Sequence, residues 1–206
     1  MTENIVVGLF YIEEESFRAM EALKENPVEE KSIISQAVLA KKEDGTVKVL
    51  DSFDTGAITV DDTVIGSLAG ACVGIIGGPI GVLLGSSYGA MVGSAMDAAD
   101  AADQASMIEV VANKLQDNEC VIIALAAEDD ESIIDEKLRN YHDTILRFDA
   151  GFVAQEVEEA RMMEAEMARQ AYEEFRKEKN EEYKSKVDDH KAKIKAKFEE
   201  FKNSLK

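Results

Sequence analysis

The sequence predicts an α+β protein: a ferredoxin-like split βαβ sandwich with an inserted glycine-zipper helical hairpin and a long C-terminal helix. Three observations support this prediction. Short runs rich in Ile and Val alternate with amphipathic segments, an uncharged central stretch repeats glycine every fourth residue, and roughly the last fifty residues contain no Gly or Pro. The predicted divisions are the first half of the α+β domain (1–62), the hairpin (63–96), the second half of the domain (97–153) and the C-terminal helix (154–206).

The first half of the domain begins with an apolar run at 4–11, which is typical of a buried strand. An amphipathic helix is predicted over 13–26, and Asn26-Pro27 ends it. Two further strands, 32–41 and 47–53, flank Asp44-Gly45, which is among the strongest hairpin-turn sequences. This half therefore predicts the order strand, helix, strand, strand.

The second half of the domain predicts an amphipathic helix at 103–117 followed by a strand at 119–126. The near-continuous apolar character of that strand indicates a central position in the sheet. With the hairpin set aside, the order is the split βαβ order of a ferredoxin-like sandwich. A further helix at 130–141 and a short strand at 146–149 are expected to extend it.

The central stretch from Thr63 to Met96 carries no charge, and its glycines fall into two series spaced by four residues on either side of Gly77-Gly78-Pro79. Residues four apart share a helical face, so each arm has a smooth face that permits close helix approach. We therefore predict self-association through the hairpin glycines Gly66, Gly70, Gly74, Gly81, Gly85, Gly89 and Gly93.

Two environments for this hairpin are left open by the sequence. The arms, 63–76 and 80–96, are about 21 and 25 Å long, which is shorter than the roughly 30 Å of bilayer hydrocarbon. One possibility is therefore a hairpin buried against its own sheet or against copies of itself. The alternative is insertion into a lipid bilayer, most easily as a re-entrant wedge.

The segment from Ala154 onward predicts one helix of about 50 residues. Its apolar residues recur every eleven positions, which favours straight or right-handed packing over a heptad coiled coil. Residues 155–183 hold ten acids and five bases, whereas 184–206 hold eight bases and four acids. A solvated single helix, a partner-packed helix and a lipid-surface helix remain open. The predicted self-association residues are Tyr172, Phe175, Tyr183, Val187, Ile194, Phe198, Phe201 and Leu205.

Charge and composition narrow the function classes. The net charge is −19, almost all of it in the first 154 residues, so the acidic body is not expected to bind nucleic acid. The two cysteines, Cys72 and Cys120, have no partner at metal-ligand spacing and indicate reduced buried thiols. The first strand follows the N-terminus without a basic leader, so a cytoplasmic protein, or one on the cytoplasmic side of a membrane, is expected.

No catalytic motif is evident. The two histidines, His142 and His190, stand outside any ExxH or HxxE spacing, and the glycine stretch lacks the GKS/T of a phosphate-binding loop. We expect no enzyme activity, catalytic residue, metal, cofactor or small-molecule substrate.

The chain resembles a bacterial family, domain of unknown function 1269, whose members are often labelled predicted membrane proteins. The resemblance covers about residues 4–150. It is carried by Ile5-Val6-Val7-Gly8, the Asp44-Gly45 turn, the zipper glycines and the strand from Cys120 to Leu125. It implies a small α+β domain interrupted by a glycine-rich hairpin and supplies no catalytic residues. The charged tail departs from the family pattern.

These observations together predict a non-enzymatic structural or scaffold protein that binds copies of itself. The alternative is a membrane-associated stress or envelope protein whose hairpin enters the bilayer. A small-ligand or metal-binding module on the sheet is the weakest of the three classes.

Overall fold

The computed structural model describes residues 1–57, 68–87, 106–139 and 145–204. Two compact units are present, Met1–Arg161 and Met162–Lys206. The elements are β1 (Thr2–Phe10), α1 (Glu13–Glu25), β2 (Val28–Glu29), β3 (Ser32–Glu43), β4 (Thr46–Asp54), α2 (Leu68–Ile76), α3 (Pro79–Ser87), α4 (Met107–Lys114), β5 (Cys120–Glu128), α5 (Ser132–Leu138), β6 (Ile145–Asp149) and α6 (Ala150–Ser204).

Local sequence sets the ends of α1. Three glutamates, Glu13 to Glu15, occupy its first turn, where negative charge stabilises the helix dipole. Its C-cap, Asn26, has φ −141° and ψ 77°, outside the helical region. Pro27 follows, and the clash of its ring with the preceding residue disfavours helical backbone there. The buried Ala19, Met20 and Leu23 then pack this helix on the sheet.

The turn between β3 and β4 has the predicted geometry. Asp44 and Gly45 have φ of 52° and 72°, and the flanking residues Glu43 and Thr46 are paired across the ladder. Positive φ at both central residues defines the type I′ turn, whose twist matches that of the two strands. The Asp-Gly pair therefore fixes the register at this end of the hairpin.

All strand pairs of the six-stranded sheet are antiparallel. The strand order is β2-β3-β5-β1-β6, with β4 also paired to β3. All nine residues of β5 are buried between β1 and β3, with Ile5 opposite Leu125 and Leu39 opposite Ile122. The predicted central position of this strand is confirmed.

Each face of the sheet is covered by helices. One face, which we call the hairpin face, packs against α2, the start of α3, α4 and the first turns of α6. The opposite face packs against α1 and α5. Alternation along β1 assigns Ile5 and Val7 to the hairpin face and Val6 and Phe10 to the other. The predicted mixed α+β class is confirmed.

Several boundaries differ from the sequence prediction. The two-residue β2 was not predicted, because its single ladder step carries no periodicity. The helix predicted over 103–117 is α4, which ends at Lys114 because Leu115 is extended, with φ −71° and ψ 104°. Residues 103–105 lie outside the described ranges. The long helix begins at Ala150, directly after β6, rather than at 154.

Candidate self-association surfaces

The first arm of the hairpin, α2, places its apolar side on the sheet. Cys72 and Val73 are in the same buried cluster as Val38 and Ile123 of the hairpin face. Burial of this side, at roughly 1.5–3 kcal/mol for each large side chain, holds the helix on the sheet. The buried residues of α2 are Leu68, Ala69, Cys72, Val73, Ile75 and Ile76.

The glycines of α2 lie on the opposite side of the helix, which is exposed. An added Cβ at Gly70 or at Gly74 would meet no atom within 4 Å. Both positions are exposed, so they do not line a contact between α2 and α3. The smooth face that the four-residue spacing predicted therefore points away from the chain's own core.

At the junction of the two arms, glycine is required because α3 passes very close to the end of α2. A Cβ at Gly81 would lie 1.9 Å from the carbonyl oxygen of Ile76 and 2.5 Å from its carbonyl carbon. At Gly77 the closest neighbour is Cβ of Val47, at 3.0 Å. Only a residue without a side chain permits the close approach of α3 to the end of α2.

The second arm, α3, exposes large apolar side chains. Val82 is 56% and Leu83 53% exposed, whereas Ile80 is buried against the sheet. Gly85 lies within α3, while Gly66, Gly89 and Gly93 fall outside the described residues. Sequence reasoning missed Val82 and Leu83 as surface residues, because an arm that is apolar throughout gives no periodicity to separate its inner from its outer side.

The first turns of α6 belong to the folded body. The backbone N–H of Phe152 donates to Oδ1 of Asp149 at 2.7 Å, which caps the helix start. Val153, Val157 and Ala160 are buried against the hairpin face. This spacing of three and four residues is that of a helix packed along one side.

Past Arg161, α6 exposes apolar side chains. Tyr172 is 68% and Phe175 55% exposed, and Nζ of Lys179 lies 4.9 Å from the Phe175 ring centroid. Tyr172 and Phe175 are three residues apart and so share a helical face. Sequence analysis missed three further exposed apolar residues in this part of α6 and one in its first turn, and none of them belongs to the eleven-residue series of Tyr172: Met162, Met163, Met167 and Phe152.

The remaining predicted residues of this surface are only partly described. Their backbone forms α6, and their side chains lie outside the described part of the chain. They are Tyr183, Val187, Ile194, Phe198 and Phe201. Leu205 follows the last described residue.

The Glu156 carboxylate on α6 caps the N-terminus of α4. Glu156 accepts hydrogen bonds from the backbone N–H groups of Met107 and Ile108 at 3.0 and 3.2 Å, and from the hydroxyl of Ser106. Burial raises the pKa of the Glu156 carboxyl above its ordinary value, even though these three donors lower it. Helix N-termini bind anions, and this one is occupied by the chain's own side chain.

An ion-pair network connects β5, β6 and α5. Arg147 donates from Nε to Oε2 of Glu128 at 3.1 Å and from Nη2 to Oδ1 of Asp135 at 2.7 Å. The Glu128 side chain is only 1% exposed, and Nδ2 of Asn4 donates to it as well. Every charge here has an internal partner, so the network serves to hold α5 against the sheet.

Both thiols are buried within the body. Burial, the largest effect, raises the pKa of Cys72 to about 12, and nearby Glu156 adds to the increase. Burial also raises the pKa of Cys120, against the lowering effect of a hydrogen bond from Ser16. A thiol with a raised pKa carries little thiolate, the nucleophilic form, at neutral pH. The predicted burial of both cysteines is confirmed.

Two surface hollows among the described residues offer little for a small ligand. One of 240 Å³ lies between β4, the α2–α3 junction and α4, and its only charged lining group, Lys42, donates to the Leu115 carbonyl at 2.9 Å. This volume is below the roughly 300–1,000 Å³ of typical ligand pockets. A wider hollow of 630 Å³ is lined by α1 alone and is an open surface.

In the described ranges, no three His, Cys, Asp or Glu side chains converge as a metal site would require. Nor does any helix in those ranges combine the length and apolar character needed to cross a membrane. The expected absence of a metal and of catalysis stays a prediction.

No family model, curated protein or solved structure matches the chain. The resemblance to domain of unknown function 1269 therefore stays a prediction.

Proposed function

We propose that this chain is a non-enzymatic structural protein that assembles with copies of itself through α6 and the hairpin. The observation that carries the proposal is the second compact unit, Met162–Lys206, whose described residues form a single helix. A single helix encloses no core of its own. Its Tyr172 and Phe175 are exposed, and packing against a second copy would remove their apolar surface from water.

The hairpin supports the same proposal with a second surface. Gly70 and Gly74 leave open space above α2, and Val82 and Leu83 on α3 are exposed. Glycine in a solvated helix costs about 1 kcal/mol relative to alanine, and close helix packing offsets that cost. A second hairpin laid against α2 brings its backbone close to these glycines.

The body that carries these surfaces is best described as ferredoxin-like. In support, α1 connects β1 to β3 with β5 between them, and α5 connects β5 to β6 with β1 between them. These are two interleaved split βαβ units. The second unit then uses α5 and β6, which the sequence prediction treated as an extension, while α4 belongs to the insertion.

The α6 surface is tested by the double substitution Tyr172→Glu and Phe175→Glu. Light scattering of the unmodified protein should give a multiple of the 22.6 kDa chain mass, and the variant should return toward one chain mass. Removing two aromatic anchors should weaken association about 10- to 100-fold. The matched control is Tyr11→Glu with Val28→Glu, which are 76% and 57% exposed on the body. A single-chain mass for the unmodified protein would refute the proposal.

The hairpin surface is tested by Gly70→Leu with Gly74→Leu. Because both positions open onto empty space, these changes should leave the body folded while filling the smooth face. Loss of higher-order assembly with an unchanged circular dichroism spectrum is the expected result. An unchanged assembly would restrict self-association to α6.

Bilayer insertion of the hairpin is the competing function. It is favoured by the uncharged exposed side of α3, and opposed by the burial of Leu68, Cys72 and Ile76 in the sheet's own core. Leaving that core for lipid would uncover the hairpin face of the sheet. Carbonate washing of membranes separates the two functions, because an inserted hairpin resists extraction and a self-assembled soluble body does not.

A further inference from the structure

We propose that the α6 helices of two copies pair antiparallel, with the pair centred between Asp188 and Asp189. This inference rests on the proposed self-association and adds its partner, direction and register. The occupant of the exposed α6 surface is thus the same segment of a second copy.

Charge complementarity supports the direction. Residues 155–183 of α6 carry a net charge of −5, with ten acids and five bases, and residues 184–206 carry +4, with eight bases and four acids. With this centre the two α6 helices overlap over residues 173–204. An antiparallel pair then places residues 173–183 (five acids, three bases, net −2) beside residues 194–204 (three bases, two acids, net +1) of the other copy, whereas a parallel pair places like charge beside like charge along its whole length. Like charges held together are destabilising and opposite charges are modestly favourable.

In the described part of the acidic segment, carboxylates outnumber the basic side chains that could pair with them. Arg169 bridges both Glu166, at 2.8 Å, and Glu173, at 3.9 Å. One guanidinium serving two carboxylates within a helix indicates a shortage of positive charge on this surface. Of these three groups, Glu173 lies within the overlap of the proposed pair, where the basic segment of a second α6 is beside it.

The apolar pattern fixes the register. The eleven-residue series Tyr172, Tyr183, Ile194 and Leu205 is symmetric about the point between Asp188 and Asp189. An antiparallel pair centred there sets Tyr183 of one copy opposite Ile194 of the other. An eleven-residue repeat is close to the straight-helix period, so the stripe stays on one side over the whole overlap. A two-fold pair of this kind is closed and self-complementary.

Distances between equivalent residues on the two helices distinguish the directions. At a rise of 1.5 Å per residue, the proposed register separates the two copies of residue 185 by about 10 Å along the axis, and those of residue 170 by about 55 Å. In a parallel pair the axial separation is close to zero at both sites.

The test is pulsed electron paramagnetic resonance on full-length protein carrying a spin label at Ser185→Cys or, separately, at Gln170→Cys. Both positions are exposed and lie opposite the apolar stripe, and the native Cys72 and Cys120 are buried. The expected result is a short distance for the label at 185 and a much longer one for the label at 170. Light scattering on the same samples reports whether assembly occurs.

Three results would overturn the inference, and they differ in what else they refute. Equal short distances at both sites in an assembled sample would establish a parallel pair, which refutes the direction but leaves self-association standing. A single-chain mass would refute both the pairing and the proposed function. A long distance at 185 in an assembled sample would show that α6 contacts another part of the second copy, which also overturns the proposal.

Discussion

Alanine substitutions at Gly81 and Gly70 should have opposite effects on stability, although the chemical change is the same. At Gly81 the new methyl would lie 1.9 Å from the carbonyl oxygen of Ile76, and backbone cannot yield as a side-chain end does. Overpacking of this kind costs up to about 3 kcal/mol, offset by about 1 kcal/mol of helix propensity. The expected net effect is a loss of about 2 kcal/mol. At Gly70 no atom of the same chain lies within 4 Å to offset the gain, so alanine should stabilise the fold of the single chain by about 1 kcal/mol.

The two variants should therefore differ by about 3 kcal/mol in the free energy of unfolding, or roughly 6–12 °C in Tm for a body of this size. Urea unfolding followed by circular dichroism measures the difference, with equal m-values required for the comparison. If Gly81→Ala proved as stable as Gly70→Ala, the close approach of α3 to Ile76 would be refuted as the reason for glycine at the junction.

The remaining predictions concern two carboxylates of the body, the buried Glu128 and the half-buried Glu156. Arg147→Met should lower the free energy of unfolding by about 3–5 kcal/mol, because it leaves the 1% exposed Glu128 carboxylate without its charged partner. In urea unfolding, the double variant Arg147→Met with Glu128→Met should be more stable than Arg147→Met alone. Equal stability of the two variants would contradict a charge-pairing role. For Glu156, burial raises the folded-state pKa, so the folded protein binds the proton more tightly than the unfolded chain. Its contribution to stability should be fully present below the unfolded pKa near 4.5 and be lost as the pH rises through the folded pKa. The difference in unfolding free energy between the unmodified protein and Glu156→Gln should change in that direction between pH 4.5 and 7.5, and a pH-independent difference would contradict this assignment.

Local patterns predicted the elements of the body well. The Asp44-Gly45 turn has few alternatives once two strand patterns flank it, and the unbroken apolar run of β5 has no place except between two other strands. The absence of Gly and Pro from the tail likewise leaves a helix as the favoured state. In each case a short-range rule was sufficient.

Which side of a helix is exposed depends on packing between distant segments, and a single sequence does not show that packing. The four-residue spacing placed Gly70 and Gly74 on one side of α2, but it did not show whether that side faced α3 or solvent. The opposite side of α2 packs against the sheet, and this leaves the glycine side exposed. The role of Glu156 was also hidden. It is one acid among ten in its segment, and only the fold brings it to the start of α4, about 50 residues earlier in sequence. Charge composition does not distinguish such a cap from a solvated glutamate.

The position of β5 between β1 and β3 has a consequence for synthesis. β1 pairs with β5 from Phe10 opposite Cys120 to Thr2 opposite Glu128, so the first strand of the chain cannot complete this pairing until residue 128 has been made. At about 5–20 residues per second, a ribosome needs roughly 6–25 s to cover that interval. During this time β1 and the β3–β4 hairpin lack the strand that joins them. Pairing over such long sequence separations also slows folding. The apolar strands of the nascent chain are thus exposed until late in translation, and a chaperone that binds short apolar segments has most to protect in this period.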